Sequence, residues 1–126
     1  MSAYRIVALP GDGTGREVMT EALKVLDVFQ KNGDVEFEIR VIPCGGQHYL
    51  ETGEQWPEGS FEICRDESDA ILLGAIGWPD ARLPNGDVAG GEVILGLRSG
   101  LDLYANVRPV KLYQGVHHKV HGVYKE

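Results

Sequence analysis

The chain has 126 residues, 43% of them hydrophobic, enough for a single domain to bury a core of its own. Twelve basic side chains against nineteen acidic ones leave a formal charge of −7, which excludes a general nucleic-acid or anionic-membrane surface and requires any bound anion to be met by local groups. No apolar run reaches the roughly 20 residues of a membrane helix and the start leads directly into a strand pattern, so the expected setting is cytoplasmic, with no membrane and no nucleic-acid partner.

Residues 5–10, Arg-Ile-Val-Ala-Leu-Pro, form a short apolar run ending at Pro-Gly, the pattern of a buried strand stopping at a turn. After Gly11-Asp12-Gly13-Thr14-Gly15, apolar residues at 18, 19, 22, 23, 25, 26 and 29 recur at helical spacing until Asn32-Gly33 closes the helix. Residues 35–43 alternate apolar and polar, which predicts a half-buried strand or one nearer a sheet edge. A short helix is expected around 47–51 and another over 60–67. Residues 70–77 are apolar enough for a central strand buried on both faces. Residues 78–91 read as loop, and 92–99 as a helix with Val93, Leu97 and Ile94 inward and a left-handed Gly100 ending it. Residues 103–113 form the next extended run, irregular or at an edge because of Pro109. Strands alternating with helices at these lengths predict an α/β fold around a mostly parallel sheet.

Cys44 and Cys64 are expected as free thiols in or near the core. His117, His118 and His121 lie among glycines and valines that do not favour a helix, so they read as exposed polar residues and not as a metal site. The glycine-rich turn admits two readings. Its backbone amides could face an anion at the positive end of a helix, or it could be a tight strand-to-helix turn with Asp12 or Thr14 capping the helix. It is not the dinucleotide fingerprint, since Arg16 stands where G-x-G-x-x-G needs glycine, and no P-loop Lys-Ser/Thr follows. Arg98 and Arg108 stand in otherwise apolar sequence, one on the predicted helix's last turn and one on the extended run that follows.

Three stretches together carry a resemblance: Leu9-Pro10-Gly11-Asp12-Gly13-Thr14-Gly15-Arg16-Glu17-Val18, then Leu72-Leu73-Gly74-Ala75-Ile76-Gly77, then Leu97-Arg98 through Leu101-Asp102-Leu103-Tyr104-Ala105-Asn106-Val107-Arg108-Pro109. In this order they resemble the isocitrate and isopropylmalate dehydrogenase family of decarboxylating oxidoreductases, over nearly the whole chain. The resemblance implies an oxidation of a 2-hydroxy dicarboxylic acid by NAD or NADP, followed by loss of carbon dioxide assisted by Mg2+ or Mn2+, in a homodimer. It assigns Arg98 and Arg108 to the substrate carboxylates, for which the planar, permanently charged guanidinium is suited. It also places Thr14 and Gly77 near the nucleotide, in keeping with ligands lying beyond the carboxyl ends of parallel strands.

The residues before Arg98 bear on substrate. Isocitrate-type members resemble one another in a serine six positions and an asparagine four positions before this arginine, where this chain has Glu92 and Ile94. Isopropylmalate-type members have an apolar pair, as Ile94 and Leu95 are, to pack a branched alkyl group; one methylene in such a pocket is worth only about 1–3 kcal/mol of discrimination. Their glutamate seven before the arginine falls on Gly91 here, with Glu92 one place off, so tartrate-, malate- and isocitrate-type members stay open as alternatives.

Arg16 stands in place of the family's usual proline, at an exposed first helical turn. The resemblance places the third substrate arginine, the catalytic tyrosine and lysine and the metal-binding aspartates beyond Glu126. The chain is therefore expected to be the N-terminal portion of an isopropylmalate dehydrogenase-like fold, incomplete and inactive alone, with residues 1–103 in the first α/β domain and 104–126 beginning the second. A non-catalytic carboxylate- or nucleotide-binding module is the rival reading.

Overall fold

The computed structural model describes residues 3–33, 35–111 and 113. Its elements follow the chain as β1 (Tyr4–Leu9), α1 (Thr14–Lys31), β2 (Phe37–Val41), α2 (Gly46–Thr52), α3 (Ser60–Asp66), β3 (Ala70–Leu73) and α4 (Gly91–Gly100). The three strands make one sheet in the order β2-β1-β3. Both pairings are parallel, with Tyr4 opposite Phe37 and Leu9 opposite Leu73 at the two ends of the ladder. This is the α/β architecture that the alternation of strand and helix patterns predicts.

Side chains alternate across a strand, so Val7 and Leu9 share one face of β1. There they join Ile42, Cys44, Cys64, Val93 and Leu97 in the buried core, with Trp56, Phe61, Ile71 and Ile76 packed against it. Each fully buried aliphatic side chain, such as Leu9 or Val93, is worth about 1.5–3 kcal/mol. Both cysteines are free and buried, as expected. Loss of hydration pushes the Cys44 thiol up to about 11 and raises that of Cys64 as well.

The first residues of β1 and β3 are pinned together. The Arg5 backbone N–H and guanidinium both donate to the Asp69 carboxylate, while the Asp69 N–H donates to the Arg5 carbonyl at 2.8 Å. At the other end the backbones touch: a Cβ on Gly74 would overlap the Pro10 carbonyl oxygen, so only glycine lets the chain leaving β3 lie against the chain leaving β1.

Four expectations need correction. The apolar stretch 70–77 is not a central strand: the strand stops at Leu73 and lies at the sheet's edge, because β1 has already taken the middle position with a partner on each side. Gly100 is not the left-handed helix terminator; Asp102 adopts the positive φ of 50° instead. What requires glycine at position 100 is the Phe61 ring, 2.5 Å from where a Cβ would stand. The extended run 103–113 forms no strand among its described residues, which lack a sheet partner and expose Tyr104, Val107 and Val110. Finally, neither Asp12 nor Thr14 caps α1: Gly13 occupies the cap position and no side chain bonds there. Among the described residues, no helix is long and apolar enough to cross a membrane.

Candidate functional site

The carboxyl ends of the three strands open into loops at 10–13, 42–45 and 74–77, and one side chain ties all three together. Asp12 is 3% exposed. Its Oδ2 accepts from the Gly46 N–H at 2.9 Å and the Gly77 N–H at 2.8 Å, and its Oδ1 accepts from the Gln47 N–H at 2.8 Å. Gly46 and Gln47 are the first residues of α2, so Asp12 serves as that helix's cap from a distant loop, supplying negative charge where its amides are unpaired. Gln47 reciprocates, its Oε1 accepting from the Gly13 N–H at 2.9 Å. A Cβ on Gly45, which has φ of 102°, would meet the Asp12 carboxylate at 2.5 Å.

The glycine-rich turn is thus the tight-turn alternative and not an open ring of amides. Asp12 N–H donates to Ala75, Gly13 N–H to Gln47, Gly15 N–H to Asp12 and Arg16 N–H to Gly13. Thr14 is exposed at the first position of α1 and Gly77 is exposed on the adjoining loop. The Trp78 ring lies over Gly13 and its Cβ against Gly46. Trp78 therefore plugs the gap between the glycine-rich turn and α2.

A second cluster forms on α4. Ile94 and Arg98, four apart and so on one helical face, line a cavity of about 430 Å³ with Ala70, Ile71 and Leu73 of β3 and with Leu101. Leu95 is 61% exposed and does not line it. The structure brings Ile94 and Arg98 together and leaves Leu95 apart. Arg108 is exposed on the irregular stretch beyond α4. The hydrogen bonds and contacts among the described residues do not join it to Arg98. Thr14 and Gly77 belong to the loop cluster, away from this cavity.

The start of α4 is also held from outside. Gly90, at its cap position, has no side chain, and Gln55 substitutes: its Oε1 accepts from the Gly90 N–H at 2.5 Å and the Glu92 N–H at 3.3 Å, while its Nε2 donates to Glu92 Oε2 at 2.8 Å. Gln55 and Glu92 border a cavity of about 770 Å³, which lies on the Gly96 and Gly100 side of α4 and is lined by none of the predicted site residues. Sequence reasoning assigned Asp12 only a turn or capping role and gave Gln55 none. Their partners lie 34 to 65 residues away along the chain for Asp12 and 35 to 37 for Gln55, beyond the reach of any local spacing rule.

Among the described residues, no group of three or more histidine, cysteine, aspartate or glutamate side chains could hold a metal ion. His117, His118 and His121 lie outside the described residues.

Comparison with known proteins agrees with the α/β fold. The family model for isocitrate/isopropylmalate dehydrogenase matches residues 5–125. The 3-isopropylmalate dehydrogenase of Clostridium acetobutylicum is 42% identical over 113 residues, covering 90% of this chain and 31% of the relative. That of Aquifex aeolicus is 44% identical over 117 residues, covering 92% of this chain and 32% of the relative. Among solved structures, an apo β-decarboxylating dehydrogenase from Thermococcus kodakarensis superposes with a TM-score of 0.59 at 34% identity, over 80% of this chain and 27% of the other. The chain thus spans about a third of the length of the curated relatives it matches. From the β1 strand to the stretch beyond Arg108, it belongs to the isocitrate/isopropylmalate dehydrogenase family.

Proposed function

We propose that this chain supplies the carboxylate- and nucleotide-facing portion of an NAD- or NADP-linked, metal-dependent oxidative decarboxylase acting on a 2-hydroxy dicarboxylic acid of the 3-isopropylmalate type. The observation that carries the reading is the pairing of Arg98 with Ile94 on one face of α4, beside a cavity lined mainly by aliphatic side chains such as Ile71, Leu73 and Leu101, with Ser68 and Asp69 as its other polar residues. A guanidinium beside a mainly aliphatic wall suits a small acid bearing both a carboxylate and a branched alkyl group. Arg98 would hold one carboxylate by a forked, charge-assisted contact. Ile94 would exclude water from the alkyl side, where a polar third carboxylate would leave its charge unpaired. Arg108 is proposed to meet the second carboxylate, and Leu95 to face the alkyl group when substrate is bound. Orientation is what such a clamp contributes, turning the hydroxyl-bearing carbon toward its acceptor.

A bound nicotinamide dinucleotide would supply the hydride acceptor for such an oxidation. Thr14 and Gly77 would lie beside the nucleotide at the carboxyl edge of the sheet. Among the described residues no cluster of side chains could hold Mg2+ or Mn2+. The chain alone is accordingly expected to be catalytically silent. In the complete enzyme it would work as part of a homodimer, with residues 1–103 in the first domain and 104–126 opening the second.

Binding to the 126-residue chain tests the reading, with 3-isopropylmalate and isocitrate titrated by NMR and dinucleotide reduction followed by absorbance. Arg98→Gln is expected to weaken 3-isopropylmalate binding by about 1.5–3 kcal/mol, the range for a hydrogen bond to a charged group. Equal binding by Arg98→Gln and the parent, or tighter binding of isocitrate, would sink the substrate assignment; reduced dinucleotide formed by the chain with magnesium would sink the claim of silence.

A further inference from the structure

Beyond the strand ends, the loops after β1 and β3 share a backbone bond, from the Asp12 N–H to the Ala75 carbonyl oxygen at 2.8 Å. The Asp12 side chain adds a tie that reaches the ends of all three strands, through the amides of Gly46 and Gln47 at the start of α2 and of Gly77 beyond β3. Each attachment is specific in geometry. Gly45 leaves room for the carboxylate, Gly46 lies against Trp78 and Ala81, and Gln47 returns a bond to Gly13 beside Asp12. The Gly77 N–H is therefore aimed inward at Asp12 while the outer side of Gly77 has open space within 4 Å of where a Cβ would stand. Trp78, next in the chain, is laid over Gly13, adjacent to Thr14.

We propose that Asp12 is a positioning residue: by holding the Gly77 amide and the α2 N-terminus at once, it fixes the Gly77–Trp78 segment against the Gly13–Thr14 turn and so sets the geometry of the dinucleotide-facing edge. The dinucleotide part rests on the reading under Proposed function; the placement of the segment does not. Asp12 touches neither ligand nor reacting atoms in this scheme and acts through Gly77, Trp78 and Thr14. An alanine removes all three acceptor contacts. An asparagine keeps one accepting oxygen, so it can hold either the Gly46 and Gly77 amides or the Gln47 amide, but turns an N–H donor toward the other side.

The test compares the parent 126-residue chain with Asp12→Ala and Asp12→Asn, in a Trp56→Phe background so that Trp78 is the only tryptophan. Amide hydrogen exchange is expected to rise by about tenfold or more at Gly46, Gln47 and Gly77 in Asp12→Ala, with β1 amides such as that of Val7 unchanged, since a lost charged hydrogen bond opens its donors locally. Asp12→Asn is expected to protect one side and expose the other, and Trp78 emission should shift toward that of solvent-exposed indole in the order parent, Asn, Ala. Exchange rising equally at β1 and at Gly77 would mean that Asp12 contributes only general stability and would overturn the proposal, as would unchanged exchange at Gly77. If Asp12→Ala does not fold, the split pattern in Asp12→Asn decides. NAD titrated into the same three chains separates the two readings: weakened binding in step with the Trp78 shift supports the dinucleotide role. Parent-like NAD binding by both variants overturns that role, whereas no binding by the parent at millimolar NAD removes the nucleotide reading and leaves placement to the exchange data.

Discussion

Cys44 shows how burial can dominate a residue's chemistry, outweighing the Gly11 backbone hydrogen bond that favours its thiolate. In the unfolded chain its thiol would lose a proton near 9.0, and in the fold only near 11. Between those values the folded state keeps a proton the unfolded state has released, so stability falls as pH rises through that window, by at most about 1.4 kcal/mol per pH unit for one such group. Urea midpoints measured from pH 8 to pH 11 should decline, and Cys44→Ser or Cys44→Ala should flatten the decline. At pH 8 thiol reagents should label the native chain slowly and the urea-unfolded chain fast, because the thiolate is the reactive form. Gly74 gives a steric counterpart. Gly74→Ala should cost about 1–3 kcal/mol, the usual penalty of overpacking, read as a lowered melting midpoint. Single positions were legible in sequence where the geometry is local: Ile94 and Arg98, four apart on a predicted helix, do fall on one face of α4. Asp12 was not, because its meaning depends on amides that only the fold brings near.

Elements were legible where a period repeats long enough to be unambiguous. The apolar positions of α1 and the alternation in β2 predict those elements, and β2 indeed lies at an edge. The apolar run at 70–77 misleads because composition reports affinity for a buried setting and not the number of neighbours a strand has. The run at 103–113 misleads for a related reason, since extended propensity becomes a strand only when a ladder accepts it. Two ties between elements can be tested. Gln55→Ala removes the cap of α4 and should cost about 1 kcal/mol, the typical loss for a helix cap, with faster exchange at Gly90 and Glu92. The Arg5 guanidinium, by hydrogen bonding, holds the Asp69 carboxyl below the usual carboxylate range. That stabilisation is present above the unfolded pKa near 3.8 and is lost as pH falls through the lower folded value. Asp69→Asn should therefore narrow the stability difference between pH 6 and pH 2, measured by urea unfolding at each pH.

At the scale of the molecule, the family and the parallel α/β plan were both legible, because they rest on motifs distributed along the whole chain. The uneven cover over the sheet was less so. Leu73 at the β3 edge, Val25 and Phe29 on α1 and Leu95 on α4 all stand well exposed, more apolar surface than scattered single residues account for. Native chain should accordingly enhance the fluorescence of an apolar dye such as ANS at pH 7, and Leu73→Lys should reduce both that signal and concentration-dependent light scattering. No enhancement over an ordinary globular control would count against these faces being open.

The strand order carries a further consequence for how the chain comes into being. Of the three described strands, the earliest in the chain is the middle one, with its neighbours drawn from Phe37–Val41 and from Ala70–Leu73. During synthesis β1 emerges before either neighbour and stays bare along one flank until Ala70–Leu73 has left the ribosome. Domains generally settle as units while the polypeptide lengthens, and here that unit cannot close early: a nascent chain halted before Ala70 would hold its most apolar strand half-zipped, an invitation to chaperones.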